Sequence, residues 1–266
     1  KIPHYTSENF WNLQYLPKSM IVVGGGSVGV EIASAMALFG VEVKVVLKED
    51  RIMPKEELEV SQFMMAKMES LGIKFFNNAN ITEVFERDGK RCLGIGEGIV
   101  LEADEIFVAT GRLFNTEFAP RAAKIALDER NAVKINDYLQ TTNKKIYAIG
   151  DVNGHRLFTH AAGYQARAVI KNIIVPDWFP FLKMKSIPVA FPWVTYTYPE
   201  VAHVGLNKKD LDEKKISYTS YTTKLESVDR ARANLVNHEG FIEVIVGNKG
   251  KILGVTIVSQ HAGELI

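Results

Sequence analysis

The stretch Met20-Ile-Val-Val-Gly-Gly-Gly-Ser-Val-Gly29 joins a short apolar run to a glycine-rich turn. The apolar part, rich in β-branched side chains, is typical of a buried strand. Over residues 27–39 apolar side chains recur at helical spacing, which predicts a helix. The turn between strand and helix satisfies the pattern GxGxxG with Gly24, Gly26 and Gly29. In this context, after a strand and before a helix, the pattern indicates a dinucleotide site.

Each glycine has a separate role in such a turn. Gly24 would make the tight turn, Gly26 would let the backbone approach a pyrophosphate, and Gly29 would let helix and strand pack closely. The phosphates would lie at the helix N-terminus, beside Ser27 and Val28, where free N–H groups and the helix dipole favour anions. The alternative is a glycine-rich turn that binds no ligand.

Strands and helices continue to alternate after this turn. Residues 41–47 and 73–76 are predicted strands, and residues 56–71 are a predicted helix that ends at Gly72. This order is typical of a parallel sheet covered by helices. Short predicted strands separated by hairpin turn signals come next: residues 81–87, 91–95, 99–101 and 105–109. The sequence therefore predicts an α/β fold, a Rossmann-like domain with an inserted β-meander.

The chain changes character in its second half. Residues 145–149 are a predicted strand that ends before Gly150, and residues 159–174 are a predicted helix. After a proline-rich boundary the predicted strands become antiparallel: residues 218–225, 241–246 and 251–259. The charged run 208–215 is predicted to be a solvated helix face.

Composition narrows the possible partners. The net charge is +1, which argues against a nucleic-acid surface. No apolar run reaches the roughly 18 to 20 residues that span a bilayer, and the first residues lack a secretory apolar core. The one cysteine, Cys92, allows neither an intrachain disulfide nor a cysteine-based metal cluster, and the histidines, His238 among them, show no metal-ligand spacing. We expect a cytoplasmic protein with no metal, no membrane and no nucleic-acid partner.

Residues 47–51, at the end of the second predicted strand, indicate whether the dinucleotide is NAD or NADP. An NAD site needs an acid there to accept from the ribose 2′-OH, whereas an NADP site needs cations. The position of the acid is Leu47, with Lys48 next and Arg51 nearby. These cations predict a preference for NADPH over NADH, although Glu49 and Asp50 partly offset them. The alternative is a solvated loop without a ligand.

Several stretches of the chain occur in the order found in one enzyme family. They are Leu16-Pro-Lys-Ser19, Gly24 to Glu31, Ala109-Thr-Gly-Arg112 with Asn115-Thr116, Ile146 to Val152, Tyr198 to Ala202 with Val204-Gly205, Glu239-Gly-Phe241, Ile252-Leu-Gly254 and His261 to Ile266. In these motifs the chain resembles the FAD-dependent pyridine nucleotide–disulfide oxidoreductases, which include dihydrolipoamide dehydrogenase, mercuric reductase and glutathione reductase. The resemblance covers essentially the whole chain.

The resemblance implies two cofactors, FAD and NAD(P)H. Asp151 would bind the ribityl chain of FAD, and Glu31 would lie beside the nicotinamide, paired with a lysine that this chain lacks. The predicted helix at residues 159–174 would point its N-terminus at the flavin ring. Other implied cofactor contacts are Thr110, Gly111, Arg112, Gly150, Thr159, His160 and Ala161. The alternatives are a capping or turn role for Asp151 and an exposed first-turn position for Glu31.

The chain also departs from the family pattern. Ser27 stands where glutathione reductases place a tyrosine lid, and Phe114 replaces a proline. The family's chains begin with an FAD-binding GxGxxG and a CxxxxC redox pair and end with a HxxxxE acid–base pair. This chain shows neither of the first two before Gly24 and no HxxxxE from His261 onward, so we expect no catalytic residue in it. Cys92 is expected to be structural. His261 and Glu264 are three residues apart, in an interface helix, and do not form the catalytic pair.

We therefore expect a fragment of a longer enzyme. Residues 1–18 would be a linker or flavin-domain edge, residues 19–114 the NAD(P)-binding domain, residues 115–186 the second half of the FAD-binding domain, and residues 187–266 an incomplete α+β dimerisation domain. The hairpin at residues 241–259 has apolar side chains on both faces, which, with the resemblance, predicts a homodimer.

The resemblance implies that the parent is dihydrolipoamide dehydrogenase-like. It would pass hydride between NAD(P)H and FAD, and electrons to or from a small-molecule or protein-bound disulfide. The alternatives are an NADPH enzyme like mercuric or glutathione reductase, a flavin transhydrogenase without a redox disulfide, and a non-catalytic dinucleotide-binding fragment.

Overall fold

The computed structural model describes residues 2–117, 122–176, 178–188, 190–233 and 239–266. These residues form two compact units. Unit 1 combines Lys1–Gly111 with Pro192–Ile266, and unit 2 is Arg112–Phe191.

The first part of unit 1 is a parallel sheet with helices, as predicted. Its elements run in the order β1 (Ser19–Val23), α1 (Ser27–Leu38), β2 (Glu42–Val46), α2 (Leu58–Ser70), β3 (Lys74–Phe76), β4 (Ile81–Arg87), β5 (Lys90–Ile95), β6 (Ile99–Ala103) and β7 (Glu105–Val108). The parallel sheet has the strand order β3-β2-β1-β7, and the antiparallel meander has the order β4-β5-β6. The predicted α/β fold with an inserted meander is therefore confirmed.

Strand β1 is buried along its whole length because both faces of the sheet are covered. Its side chains alternate, so that Met20 and Val22 enter the core formed with α1 and α2. Ile21 and Val23 enter a second core, which contains Leu93 of the meander. The sheet thus lies between a helical layer and the meander.

The first residues, which show no period in the sequence, pack onto this sheet. The N–H of Tyr5 donates to the Ile106 carbonyl at 2.7 Å, and the N–H of Val108 donates to the Tyr5 carbonyl at 2.8 Å. The buried ring of Phe10 contacts that of Phe107, with centroids 5.2 Å apart. Such contacts are made by single residues and leave no periodic signal.

The second part of unit 1 is an antiparallel sheet with the strand order β10-β11-β12-β9-β8. Its elements are β8 (Pro192–Thr195), β9 (Glu200–Gly205), α4 (Lys208–Glu213), β10 (Tyr218–Lys224), α5 (Asp229–Ala233), β11 (Phe241–Gly247), β12 (Ile252–Ser259) and α6 (Ala262–Leu265). Strands β10, β11 and β12 were predicted, whereas β8 and β9 were not. Val201 and Val258 join the core of α1 and α2, so the two parts of unit 1 pack together.

The prediction of a solvated face at residues 208–215 is wrong for Lys208. Helix α4 exposes Lys209 and Glu213, but Leu211 is fully buried. The Lys208 side chain is 23% exposed, and its ammonium binds Glu243, whose side chain is 6% exposed. A charge run shows how many charges a helix carries, but the partner of each depends on tertiary packing.

Unit 2 contains α3 (Thr159–Ile174), which has the predicted bounds. The predicted strand at residues 145–149 is wrong. Only an isolated bridge between Gln140 and Tyr147 falls in this segment, and Gly150–Asn153 is a 3-10 helix. The apolar pattern there serves a small core with Ile125, Val133 and Ala148, because no neighbouring strand within the described residues offers a continuous ladder.

Candidate functional site

Two glycines of the turn after β1 have no room for a side chain. A Cβ at Gly24 would overlap the Ala109 carbonyl oxygen, and its φ of +114° lies in the region that favours glycine. A Cβ at Gly29 would overlap the carbonyl oxygen of Gly24. The turn, the start of α1 and the end of β7 therefore approach one another as closely as backbones can.

Gly26 lies in the opposite environment. Apart from its two chain neighbours, no residue of the described chain comes within 4 Å of the place where its Cβ would stand, and its φ of −73° is open to any residue. Steric packing within the chain does not require glycine here. The open space at Gly26 is where a pyrophosphate would approach the backbone in a turn of this pattern.

The N-terminus of α1 offers free donors beside this gap. Gly26 caps the helix without a side-chain hydrogen bond, and the first turn contains no acid. The first N–H groups of a helix lack partners within the helix, so those at exposed Ser27 and half-buried Val28 can meet an anion. The residues present therefore fit a dinucleotide phosphate.

The position of the acid at the end of β2 is occupied by Leu47, and the exposed acids Glu49 and Asp50 follow only after Lys48. Leu47 is 2% exposed and packs beneath Gly25, while Lys48 is exposed. The Arg51 guanidinium donates to Ser61 Oγ at 3.3 Å and to the Pro54 carbonyl at 3.2 Å. Within the described chain, no carboxylate oxygen lies within 4.0 Å of the charged nitrogens of Lys48 or Arg51. Both cations can therefore meet a further anion.

Glu31 is half-buried rather than exposed on the first turns of α1. Its Oε1 accepts the backbone N–H of Tyr196 at 2.8 Å. Burial raises the pKa of Glu31 above its ordinary value of 4.5, and the hydrogen bond from Tyr196 opposes this shift. One carboxylate oxygen is thus already engaged within unit 1.

The predicted flavin contacts of unit 2 include a pair of opposite charges. Arg112 Nη1 lies 2.7 Å from Asp151 Oδ2 and donates to the Leu157 carbonyl at 3.2 Å. Asp151 remains 52% exposed, so its carboxylate can still accept from a ligand. In unit 1, Thr110 and Gly111 are both exposed.

The N-terminus of α3 is also free of acids and of a side-chain cap. Thr159 and His160 are exposed, and Ala161 is buried. The His160 ring stacks on the Phe191 ring with centroids 4.6 Å apart and an interplanar angle of 14°. The positive end of the helix and the free side of Asp151 fit the polar part of a flavin.

A glutamine that belongs to none of the sequence motifs shapes this region. The fully buried Gln165 Oε1 accepts from the Gly150 N–H at 2.8 Å and from Asn153 Nδ2 at 2.9 Å. These bonds fix the turn that carries Asp151. A signal was present, since Gln165 shares the buried face of α3 with Ala161 and other residues at helical spacing.

The described residues contain no candidate redox or metal centre. Cys92 is buried in β5, and His261 is an exposed residue before α6. No group of three or more His, Cys, Asp or Glu side chains among the described residues could hold a metal, and His238 lies outside them. Within the same part of the chain, every helix is too short or too polar to cross a membrane.

Comparison with known proteins assigns this arrangement to a family. The sequence profile described as pyridine nucleotide-disulphide oxidoreductase matches residues 1–166. The chain belongs to this family. The profile of the dimerisation domain of the pyridine nucleotide-disulphide oxidoreductases matches residues 191–266.

Similar members of the pyridine nucleotide-disulphide oxidoreductases include two bacterial enzymes. A mercuric reductase of Lysinibacillus sphaericus is 32% identical over an alignment of 271 residues that covers 100% of this chain and 48% of the relative. A dihydrolipoyl dehydrogenase of Chlamydia pneumoniae is 30% identical over an alignment of 267 residues that covers 98% of this chain and 55% of the relative. The chain spans about half the length of the curated relatives it matches.

A solved structure of a flavoprotein disulfide reductase has a similar fold. The HOCl-induced flavoprotein disulfide reductase RclA from Escherichia coli matches with a TM-score of 0.88 and 26% identity. The match covers 98% of this chain and 59% of that one.

Proposed function

We propose that this chain supplies the dinucleotide-binding and dimerisation parts of a flavoprotein oxidoreductase. In that enzyme, hydride passes between NAD(P)H and FAD, and electrons pass to or from a small-molecule or protein-bound disulfide. The gap at Gly26, beside the acid-free N-terminus of α1, carries the proposal. Gly24 and Gly29 hold the turn in the shape that leaves this gap.

Family membership supports the assignment of the remaining parts. We assign residues 19–114 to NAD(P) binding, residues 115–186 to flavin binding and residues 187–266 to dimerisation, with the homodimer as the assembled state. FAD, when bound, would accept or donate the hydride, and Asp151 with the N-terminus of α3 would hold its polar part. A cytoplasmic location remains a prediction.

Cofactor selectivity is the finer part of the proposal. Leu47 is buried and cannot accept from a ribose 2′-OH, while Lys48 and Arg51 have no ion-pair partner within the described residues. A 2′-phosphate would supply the missing charge. A charge-assisted hydrogen bond contributes about 1.5 to 3 kcal/mol, or roughly tenfold to a hundredfold in affinity. We therefore propose that NADPH binds more tightly than NADH.

Titration of the purified chain with both cofactors, at low and at high salt, tests the function. We expect NADPH to bind more tightly than NADH, and the difference to shrink at high salt because exposed charges are screened. Lys48→Glu should remove most of the preference. Lys55→Glu makes the same charge change on an exposed residue of the same loop and serves as its control. Equal affinities in the unaltered chain would overturn the selectivity.

A mercuric ion is a second candidate for the final electron acceptor. The relative from Lysinibacillus sphaericus is named a mercuric reductase and matches over 100% of this chain. Acceptor choice depends on residues that bind the acceptor, and the described residues contain no thiol pair to do so.

A further inference from the structure

The loop between β2 and α2, residues 48–57, carries both cations of the selectivity proposal. Its middle is tied to the first part of unit 1. The N–H of Met53 donates to the Gly25 carbonyl at 2.7 Å, and the N–H of Asn78 donates to the Glu49 carbonyl at 3.0 Å. The loop is therefore held against the glycine turn on one side.

The other end of the loop is tied to the antiparallel part of unit 1. Trp193 Nε1, on β8, donates to Glu56 Oε1 at 2.7 Å. The backbone N–H of Lys208, at the start of α4, donates to Glu57 Oε1 at 2.6 Å. Two consecutive carboxylates thus anchor the loop to elements more than a hundred residues further along the chain.

Arg51 depends on this anchoring through the backbone. Its guanidinium donates to the Pro54 carbonyl, two residues before Glu56, and to Ser61 Oγ on α2. A displacement of Glu56 would therefore move the carbonyl that orients Arg51. A displacement of Glu56 would affect Lys48 less, because Lys48 lies at the far end of the loop, next to buried Leu47.

We propose that Glu56 and Trp193 are positioning residues for cofactor selectivity. Their hydrogen bond holds the 48–57 loop so that Arg51 faces the 2′-phosphate of NADPH. The inference rests on the proposed NADPH preference and extends it, since the antiparallel part of unit 1 then helps to determine which dinucleotide binds.

The charge of Glu56 and its hydrogen bond to Trp193 predict opposite effects on the affinity for NADPH. As a negative charge near Arg51, the carboxylate would weaken the attraction of a phosphate, so its neutralisation would strengthen NADPH binding. As an anchor of the loop, the Glu56 carboxylate would instead favour NADPH binding, and removing the carboxylate would weaken NADPH binding. Glu56→Gln keeps an oxygen that can accept from the indole, whereas Glu56→Ala removes it.

The test compares dissociation constants of NADPH and NADH for Glu56→Gln, Glu56→Ala and Trp193→Phe. A typical hydrogen bond contributes about 0.5 to 1.5 kcal/mol, so Trp193→Phe and Glu56→Ala should reduce the NADPH preference about twofold to tenfold. NADH affinity should change little, because NADH has no 2′-phosphate. Glu56→Gln should keep the preference. Trp11→Phe, at a 77% exposed tryptophan of the same unit, is the matched control.

The outcomes separate the two proposals. If the unaltered chain binds neither cofactor, or binds both equally, the proposed function fails. If it prefers NADPH and both Trp193→Phe and Glu56→Ala keep that preference, the positioning role is overturned. Equal losses for both cofactors also overturn it, because a general structural anchor would act on both. If Trp193→Phe does not fold, Glu56→Ala with Glu56→Gln as its rescue gives the same decision.

Discussion

Gly26 and Gly29, in the turn after β1, have different structural roles. Gly29 has no space for a methyl group, whereas Gly26 has open space within 4 Å. The fold therefore requires glycine at position 29. Glycine is required at position 26 only if a ligand occupies the gap.

Alanine at Gly29 should therefore affect mainly stability, and alanine at Gly26 mainly cofactor binding. Gly29→Ala should destabilise the chain by about 1 to 3 kcal/mol, because the new methyl group meets backbone that cannot move freely. Gly26→Ala should cost less than about 1 kcal/mol, from the poorer helix cap, but weaken NADPH binding about tenfold or more. Urea unfolding and cofactor titration measure the two effects. A Gly26→Ala variant with unchanged affinity would contradict the phosphate position.

The half-buried carboxylate of Glu31 should make stability depend on pH. Burial raises its pKa in the folded chain, so the folded state holds the proton to a higher pH than the unfolded state. Stability is then lost as pH rises from the ordinary value of 4.5 through the raised pKa.

Glu31→Gln removes this loss while keeping an oxygen for the Tyr196 N–H. We expect a higher Tm than that of the unaltered chain at about pH 8, with the difference disappearing near pH 4. Thermal unfolding across this range measures the effect. Glu69→Gln, on an exposed residue of α2, is the control. A Tm difference that stays the same across the whole pH range would contradict a destabilising burial of the ionised Glu31 carboxylate.

At the scale of elements, Lys208 joins three of them. Its ammonium lies 2.7 Å from Glu243 on β11 and 3.2 Å from Glu59 on α2, while Lys208 itself begins α4. Ser220 Oγ also donates to Glu243. Because the Glu243 side chain is only 6% exposed, loss of the ammonium would leave a buried charge whose one remaining donor among the described residues is the Ser220 hydroxyl.

Lys208→Ala should therefore destabilise the chain by about 1 to 3 kcal/mol. Lys209→Ala changes the next residue of the same helix, which is exposed, and should stay within about 0.5 kcal/mol. Urea unfolding of both variants measures the difference. Equal effects would mean that the Lys208 pair is no stronger than a surface pair.

At the scale of the whole molecule, the dinucleotide residues and the flavin residues occur in different units. Those of unit 1 form a continuous set around Gly26, with a turn, a helix terminus and a loop. Those of unit 2 are Asp151, paired with Arg112, and the N-terminus of α3. The sequence contains one GxGxxG pattern and one cysteine.

We expect the 266-residue chain to bind NADPH and to purify without flavin. Few contacts remain for FAD, and association must first offset several kcal/mol of lost freedom. The chain should reduce neither lipoamide, glutathione disulfide nor Hg(II), because it has no thiol pair. An absorbance spectrum and an NADPH oxidation assay against a protein-free control test this. Stoichiometric FAD would contradict this prediction, because Asp151 and the N-terminus of α3 would then not be the only flavin contacts in the chain.

The sequence by itself determined the elements whose signals are local. The glycine turn, helices α1 and α3 and the hairpin strands β11 and β12 follow from periodicity, turn residues and capping, which act over a few neighbouring residues. The same local chemistry identified the candidate phosphate site, because a strand, three glycines and a helix are contiguous in the chain.

Tertiary structure decided what depends on distant partners. Among the described residues, the apolar run at residues 145–149 makes one isolated bridge and forms no strand. Lys208 binds the buried carboxylate of Glu243 instead of facing solvent. Likewise, only packing brings Trp193 to Glu56 and Tyr196 to Glu31. Burial and pairing of a side chain arise from residues far away in sequence, so no local pattern contains them.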